Sequence, residues 1–399
     1  MPAGPAGQRH RFHILAIPHT ISLRDYNACP FTQRTVRLCA LLKQRGHHVV
    51  HYGHEDSQVV CDEQVAVTGR EVLAIAYGGH DWRRLGPPDY RPDDHAYRVF
   101  NANAIAAVRP RKQPGDFLLC MAGPAQLPVA DAHREMLVCE PSIGYARGHF
   151  APLKIFQSYA ILHAYLGLAA VERLSNAMWY DAVIPNFFDL DDFDFAARKD
   201  DFFLFLGRVG DAKGIGIAVE IVEAVGGRLV VAGPGSLDGI RTRSGRPIAG
   251  YVEQVGVVDV ETRKRLLARA KAVLLPSLFV EPFCGVQIEA MLSGTPVIST
   301  DWGAFAEYNL HGVTGYRCRT FEQFTWAARH IETIQPAACR AWAADNFSMA
   351  RVAPMFDEYF CAASNLYWRD GWYEENPVRR ELDWLTRRHP AGRSHGAAS

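Results

Sequence analysis

Short apolar runs alternate along this chain with longer segments that repeat apolar residues at helical spacing. Runs of about four to eight apolar residues are typical of strands buried on both faces, as in parallel sheets. Residues 31–45 carry an apolar face and are followed by Gly46, which predicts a helix with a glycine cap. The strands predicted in the first half are residues 12–17, 48–52, 73–76, 117–121 and 136–140.

The second half shows the same alternation. We predict strands at residues 202–206, 229–233, 251–258, 272–276 and 296–300. Helices are predicted at 215–225, 286–292, 321–331, 336–346 and 349–366, and an aromatic segment follows at 367–388. Alternating strands and helices predict parallel β/α units, so we expect an α/β fold class with doubly wound sheets.

The length and composition limit the possible classes. A chain of 399 residues is long for one core, which predicts two domains. The 43 basic side chains equal the 43 acidic ones, so a dedicated nucleic-acid surface is not expected. Nine cysteines without a Cys-x-x-Cys pair indicate reduced thiols and a cytoplasmic location. No signal peptide is recognisable, and the longest apolar run, residues 159–171, is too short to span a membrane.

Two carboxylates flank the start of one predicted helix. Glu281 lies in the loop that follows a buried strand, and Glu289 lies near the second turn of the helix. Open α/β sheets bind ligands at the carboxyl ends of their strands. Between the two acids, the backbone N–H groups of Phe283, Cys284 and Gly285 form an anion site. A sugar nucleotide fits this arrangement, because its hydroxyls bind carboxylates and its phosphates bind N–H groups.

A pair of cations follows another predicted strand. Arg208 and Lys213 lie between the strand that ends at Leu206 and the helix predicted at 215–225. Two cations and a helix N-terminus therefore converge, as a diphosphate leaving group requires. By itself, an Arg-x4-Lys spacing also fits two solvated charges on a surface loop.

The segment from Glu281 to Glu289 reads Glu-Pro-Phe-Cys-Gly-Val-Gln-Ile-Glu. It resembles the Glu-x7-Glu signature of retaining glycosyltransferases of the GT-B fold, in particular family 4. The resemblance continues through Gly-Thr-Pro-Val-Ile at 294–298, the pair Gly303 and Glu307, and Gly-Val-Thr-Gly at 312–315. In one departure from the family pattern, Cys284 stands where Gly is usual.

The resemblance implies two Rossmann-like domains facing a central cleft, with a C-terminal helix that returns to the first domain. The segment Ile-Pro-Asn-x-x-Asp at 184–189 resembles the interdomain crossing of the same family. We therefore expect an acceptor domain at 1–185, a sugar-nucleotide domain at 186–366, and a returning helix with a disordered tail at 367–399.

The same resemblance assigns roles to residues of the second domain. Arg208 and Lys213 would stabilise the departing diphosphate, and Glu281 would contact hydroxyls of the transferred sugar. Glu289 would accept hydrogen bonds from the ribose hydroxyls. The further donor-binding residues are Gly207, Gly233, Val258, Phe283, Cys284 and Gly285.

The first domain offers weaker candidates. Its loop 18–32 lacks the Gly-rich turn that family members commonly carry, and the strand at 117–121 lacks the histidine that relatives often place near the sugar. Thr32 is a candidate for the cleft, with an ordinary helix start as the alternative. Glu140 and His149 are candidates for orienting the acceptor, with a loop cap and a surface histidine as alternatives.

We therefore expect a retaining glycosyltransferase, without a bound metal or cofactor, that moves a hexosyl group from a nucleoside-diphosphate sugar to an acceptor hydroxyl. UDP and GDP are the leading nucleotides. A small molecule, a lipid-linked sugar and a polysaccharide all remain possible acceptors, and the oligomeric state is not determined. The alternatives are a GT-B phosphorylase or epimerase, and a non-catalytic sugar-nucleotide binding protein.

Overall fold

A computed structural model describes residues 9–145, 148–170, 178, 180–242 and 244–368 of the chain. Two parallel sheets organise these residues, and helices cover both sheets. The α/β class and the doubly wound sheets predicted from the sequence are confirmed.

The first sheet has seven parallel strands in the order β3-β2-β1-β4-β5-β6-β7. In its centre, Leu15 of the first strand lies between Tyr52 and Cys120 of its two neighbours. The strands are β1 (Arg11–Leu15), β2 (His48–His54), β3 (Glu63–Thr68), β4 (Phe117–Cys120), β5 (Leu137–Ile143), β6 (Leu153–Phe156) and β7 (Ala182–Val183). The helices are α1 (Pro30–Gln44), α2 (Arg70–Tyr77), α3 (Trp82–Leu85), α4 (His95–Val108), α5 (Leu127–Ala132) and α6 (Tyr159–Ala170).

The second sheet has six parallel strands in the order β10-β9-β8-β11-β12-β13. The strands are β8 (Phe203–Leu206), β9 (Leu229–Ala232), β10 (Val252–Gly256), β11 (Ala272–Leu275), β12 (Val297–Thr300) and β13 (Gly315–Cys318). The helices are α7 (Ile215–Val225), α8 (Val260–Arg269), α9 (Gly285–Leu292), α10 (Ala304–Tyr308), α11 (Phe321–Arg329), α12 (Pro336–Phe347) and α13 (Met349–Trp368).

One predicted strand is wrong. Leu73–Ala76 lies inside α2, a surface helix with no fully buried residue. Four apolar residues in a row fit a strand or one turn of a helix equally well, so the run alone did not separate the two. Four strands were missed, β3, β6, β7 and β13. They are short or carry polar residues such as Lys154 and Arg317, so no continuous apolar run marks them.

The two halves are joined by more than one contact. Helix α13 packs its Phe360 ring on Phe12 of β1, with ring centroids 4.7 Å apart, so the chain returns to the first domain. The Glu307 carboxylate accepts the backbone N–H groups of Tyr159 and Ala160 at the start of α6. The predicted segment 367–399 lies outside the described residues, apart from the helical backbone of 367 and 368.

The order of the strands indicates where a ligand would bind. Each sheet reverses direction of winding once, between β1 and β4 in the first and between β8 and β11 in the second. Ligands of open α/β sheets bind outside the carboxyl ends of the strands at such a switch point. The loops that follow these four strands all contribute residues to one cavity between the two sheets.

Candidate functional site

A cavity of about 1210 Å³ lies between the two sheets and is lined by residues of both. Its volume lies above the range of about 300 to 1,000 Å³ that is usual for small-molecule sites. All ten second-domain residues predicted from the sequence line it: Gly207, Arg208, Lys213, Gly233, Val258, Glu281, Phe283, Cys284, Gly285 and Glu289.

Lys213 and Glu281 are in direct contact in this cavity. Lys213 Nζ donates to Glu281 Oε1 at 2.5 Å, and Ser277 Oγ donates to the same oxygen at 3.0 Å. The Glu281 residue is 4% exposed, whereas the Lys213 side chain is 38% exposed. The buried Glu281 carboxylate and the more exposed Lys213 ammonium therefore lie next to each other. The carboxylate can accept from ligand hydroxyls, and the ammonium can donate to phosphate oxygens.

Arg208 follows the end of β8 and is exposed in the cavity wall. The neighbouring turn after β9 fits only glycine, because a Cβ atom at Gly233 would lie 2.0 Å from the Gly207 carbonyl oxygen. Gly233 also has φ +138°, which favours glycine. The ends of β8 and β9 therefore approach each other closely beside Arg208.

Helix α9 begins one residue before its predicted start. Its first residue is Gly285, and Cys284 is its N-cap. Cys284 adopts φ 59° and ψ 78°, and it is the non-glycine residue with positive φ in the part of the chain that the structure describes. A family glycine at this position is explained by that left-handed conformation, which Cys284 adopts at a cost. Burial raises the pKa of the Cys284 thiol well above its ordinary value.

Glu289 is held by a residue that the sequence did not reveal. Arg263 of α8 donates to Glu289 Oε2 through Nε at 2.9 Å and through Nη2 at 2.5 Å. Both residues line the cavity. The pair fixes the carboxylate and leaves Oε1 available to a ligand hydroxyl. No spacing in the sequence links Arg263 to Glu289, because they lie on different helices.

The structure corrects the assignment of Thr32. Its side chain is fully buried, and its hydroxyl forms a 2.6 Å hydrogen bond with the Thr20 hydroxyl. Thr32 is not among the residues that line the cavity. The neighbouring Gln33 also serves the loop, since its Nε2 donates to the carbonyl oxygens of Leu23 and Tyr26. The loop before α1 is therefore closed by side-chain hydrogen bonds instead of glycines.

Glu140 and His149 also lie outside the cavity lining. Glu140 is fully buried and accepts Tyr145 Oη at 2.7 Å and the N–H groups of Phe150 and Ala151 at 3.0 Å each. Burial raises the pKa of its carboxyl group. His149 Nε2 lies 2.9 Å from the Tyr145 carbonyl oxygen, and burial lowers the pKa of its imidazole to about 4. Both residues therefore organise the loop after β5: Glu140 caps it, as its structural alternative stated, whereas His149 is partly buried and not a surface histidine.

The first domain supplies cavity residues that the sequence analysis missed. His19, Tyr90 and Tyr97 line one wall, and Arg34 lines the base near the interdomain crossing. Arg34 is 2% exposed and donates to the carbonyl oxygens of Pro185 and Pro141 and to Asn186 Oδ1. Burial lowers its pKa to about 9. These residues come from separate loops and helices, and no motif marks them.

The first domain also contacts the second across the cavity. Asn27 Nδ2 donates to the Val258 carbonyl oxygen at 3.3 Å, and Arg24 Nη2 lies 2.5 Å from Asp192 Oδ1. All four residues line the cavity. The long loop before α1 therefore reaches the wall that was predicted to meet the nucleotide base.

The second domain is similar to a known protein family. A profile described as Glycosyl transferases group 1 matches residues 200–334. A phosphatidyl-myo-inositol mannosyltransferase of Mycobacterium tuberculosis is 33% identical over 153 residues, which are 35% of this chain and 40% of that relative. The matched stretch thus spans well under two thirds of that relative's length. The Mycolicibacterium smegmatis protein of the same description is 26% identical over 318 residues, covering 72% of this chain and 78% of the relative.

Solved structures match over most of the chain. AviGT4, a glycosyltransferase involved in avilamycin A biosynthesis, aligns with a TM-score of 0.64 at 22% identity and covers 89% of this chain and 98% of its own. Anabaena HepE in complex with UDP and glucose aligns with a TM-score of 0.64 at 14% identity, covering 89% and 100%. These likenesses confirm the predicted two-domain GT-B fold. In the described part of the chain, no helix has the length and apolar character needed to cross a membrane.

Proposed function

We propose that this chain, a GT-B protein whose second domain belongs to the group 1 glycosyl transferases, transfers a hexosyl group from a nucleoside-diphosphate sugar to an acceptor hydroxyl. One observation carries the proposal: the Lys213–Glu281 pair shares a single cavity with Arg208 and with Glu289. Cations for a diphosphate and carboxylates for sugar hydroxyls thus occur together. An accidental surface arrangement would not bring these four side chains to one interdomain cavity.

The donor would bind mainly to the second domain. Its diphosphate would lie near Arg208, Lys213 and the first turn of α9, and its ribose hydroxyls would donate to Glu289 Oε1. The UDP in the Anabaena structure supports a uridine nucleotide, and GDP-sugars stay in the test because the sequence resemblance predicted both nucleotides. The base would meet the backbone near Val258.

The reaction is proposed to retain the anomeric configuration. The acceptor oxygen would attack the anomeric carbon on the face from which the diphosphate departs, and the glycosidic bond to the diphosphate would break. The acceptor proton would pass to the departing phosphate oxygen, so no protein nucleophile is needed. Negative charge grows on that oxygen, and preorganised cations stabilise it. Arg208 and Lys213 would supply this stabilisation in place of a metal ion.

The donor test is a thermal-shift screen of the full chain against UDP, GDP, ADP and dTDP and their sugars. A ligand that binds the native state raises the melting temperature. We expect one nucleotide and its sugar to raise the melting temperature, and the matching sugar nucleotide to release nucleoside diphosphate when it is incubated with an acceptor that carries a free hydroxyl. Failure of every nucleotide to shift the melting temperature would overturn the proposal.

The same assay separates the alternatives. A phosphorylase would consume orthophosphate together with a glycoside and release no nucleoside diphosphate. An epimerase would convert the donor to its epimer, which chromatography of the recovered sugar nucleotide detects. A non-catalytic binding protein would show the melting shift without nucleoside diphosphate release. A cytoplasmic location stays a prediction, supported by nine free cysteines.

A further inference from the structure

Three nearly parallel rings of the first domain lie together at the cavity wall, with Tyr90 stacked on His19 and Tyr97 beside the pair. The His19 and Tyr90 rings lie 3.8 Å apart at 13°, and the Tyr90 and Tyr97 rings lie 5.5 Å apart at 15°. His19 and Tyr97 lie 5.8 Å apart at 21°. All three residues line the cavity. Such a stack presents a flat aromatic face to whatever binds beside it.

Two of the three rings are buried, and the third is half-exposed. His19 and Tyr97 are 5% and 2% exposed, and His19 Nδ1 is hydrogen-bonded to Tyr97 Oη at 2.8 Å. Tyr90 is 50% exposed and rests on His19. Burial lowers the pKa of the His19 imidazole to about 4, so the ring beneath Tyr90 is neutral near pH 7. The aromatic platform formed by His19, Tyr90 and Tyr97 is therefore rigid, uncharged and accessible on one side.

The surroundings of the platform are apolar. The lining residues here include Pro87, Pro92, Met121, Pro124, Leu127 and Pro128. Leu127 is 38% exposed at the mouth. Two charged residues of this wall, Asp93 and Arg98, are exposed, and Arg98 donates to the Asp93 carbonyl oxygen. Asn101 Nδ2 donates to the Ala125 carbonyl oxygen at 2.8 Å. A saccharide needs many hydrogen bonds to replace its hydration, whereas the apolar face of the Tyr90 ring favours a flat apolar ring.

One polar atom remains without a partner. Asn101 Oδ1 is buried and has no hydrogen-bond partner among the described residues, although Asn101 lines the cavity and is 8% exposed. A buried acceptor without a partner costs free energy, which a ligand donor would recover. Asn101 lies one helical turn after Tyr97 on α4, so the acceptor atom and the ring stack share one helix face.

The platform also lies near the donor side. A side chain at Gly86 would meet Pro234 of the second domain at 3.6 Å, so the loop that carries Tyr90 approaches the turn of Gly233 and Gly235. The loop that carries Tyr90 therefore links the first-domain wall of the cavity to its second-domain side.

We propose that this wall is the acceptor subsite and that it takes a flat, largely apolar ring bearing a hydroxyl, stacked on Tyr90 and hydrogen-bonded to Asn101 Oδ1. The inference rests on the proposed glycosyl transfer, and it names the acceptor class as an aromatic aglycone. A saccharide acceptor and a phospholipid acceptor are the competing outcomes.

Binding is tested first, independently of turnover, with the fluorescent compound 7-hydroxycoumarin as probe. We expect saturable binding to the full chain, weakened about fivefold in Tyr90→Ala and restored in Tyr90→Phe, because the ring and not the hydroxyl makes the stack. Trp326→Ala is the matched control, since Trp326 is an exposed aromatic residue on α11 outside the cavity lining. Equal affinity in the wild type and Tyr90→Ala, or no binding, would overturn the subsite.

Turnover then separates acceptor classes, with the donor identified by melting shift. Three acceptors are compared: 7-hydroxycoumarin, methyl α-mannoside, and phosphatidylinositol in phosphatidylcholine vesicles. We expect transfer to the coumarin, with KM raised about fivefold and kcat little changed in Tyr90→Ala. Transfer to the mannoside or the vesicles alone overturns the aromatic subsite while nucleoside diphosphate release upholds the transferase. Loss of donor binding and of all nucleoside diphosphate release would refute the proposed glycosyl transfer itself.

Discussion

Lys213 and Glu281 lie 68 positions apart in the chain, yet the Lys213 ammonium donates to the Glu281 carboxylate at 2.5 Å inside the interdomain cavity. Lys213 comes from the turn after β8, and Glu281 comes from the loop after β11. Strands β8 and β11 are neighbours in the sheet, so their carboxyl ends bring the two loops together. Each side chain therefore positions the other for a ligand that carries both phosphates and hydroxyls.

The first prediction concerns this pair in turnover. Lys213→Ala should lower kcat by about a hundredfold or more, because a cation aimed at the developing charge is lost. The measurement is nucleoside diphosphate release with the donor that shifts the melting temperature. Lys271→Ala is the control, since Lys271 pairs with Asp201 on the surface outside the cavity. Combining Lys213→Ala with Glu281→Gln should cost less than the product of the single effects, as expected for residues that act together. If the double variant instead lowers kcat by the product of the two single effects, the two residues do not act together.

The second prediction concerns the left-handed residue at the start of α9. Cys284 has φ 59°, a conformation that glycine adopts without strain. Cys284→Gly should therefore change the free energy of unfolding by less than about 1 kcal/mol, whereas Cys284→Val should cost about 2 kcal/mol or more. Urea denaturation measures both. Cys339→Gly is the contrast, since Cys339 is buried inside α12 and glycine is unfavourable there. Similar losses for both glycine variants would contradict the strain argument.

The third prediction concerns the contact between the ends of β8 and β9. A Cβ atom at Gly233 would lie 2.0 Å from the Gly207 carbonyl oxygen. Gly233→Ala should therefore cost more than about 2 kcal/mol and weaken nucleotide binding, because the turn beside Arg208 must move. Gly216→Ala is the matched control, since Gly216 lies in α7 with open space around its Cα atom. It should be neutral or stabilising. The measurement is the rise in melting temperature that the nucleotide causes in each variant. It should be smaller in Gly233→Ala than in Gly216→Ala.

The fourth prediction concerns Glu140, which belongs to the structure and not to the cavity. Its carboxylate accepts three hydrogen bonds while fully buried. Glu140→Ala should lower the free energy of unfolding by about 3 kcal/mol, because three buried donors lose their partner. The KM for the donor should stay within about twofold in the folded variant, as no donor contact is lost. A large rise in the donor KM without loss of stability would return Glu140 to the active site.

The fifth prediction concerns acid sensitivity. Burial lowers the pKa of His51 from 6.5 to about 4, so between these values the unfolded chain binds a proton that the folded chain does not. The free energy of unfolding should therefore fall as pH drops from 6.5 to 4, by up to about 3 kcal/mol for this residue. His51→Gln should reduce that slope by about one proton in urea titrations across this window. The control variant is His163→Gln, since His163 is exposed.

The sequence by itself determined the α/β class, most strands and ten of the second-domain residues that line the cavity. Buried strands are continuous apolar runs, and the second-domain residues occur as short motifs whose members lie within one strand, loop and helix. Local spacing was therefore enough to predict Gly207 and Arg208 as site residues, and also the segment from Glu281 to Glu289. The departure at Cys284 was also visible, and its positive φ gives the reason why the family uses glycine there.

Only the tertiary structure decided the first-domain wall and the pairing of charges. Arg263 reaches Glu289 from another helix, and Tyr90 stacks on His19 from a distant loop. Thr32 and Glu140 looked suitable because their chemistry was right, yet both side chains point to partners inside the domain. Residue type and local spacing do not state which way a side chain faces, because that direction is set by packing between segments far apart in the chain.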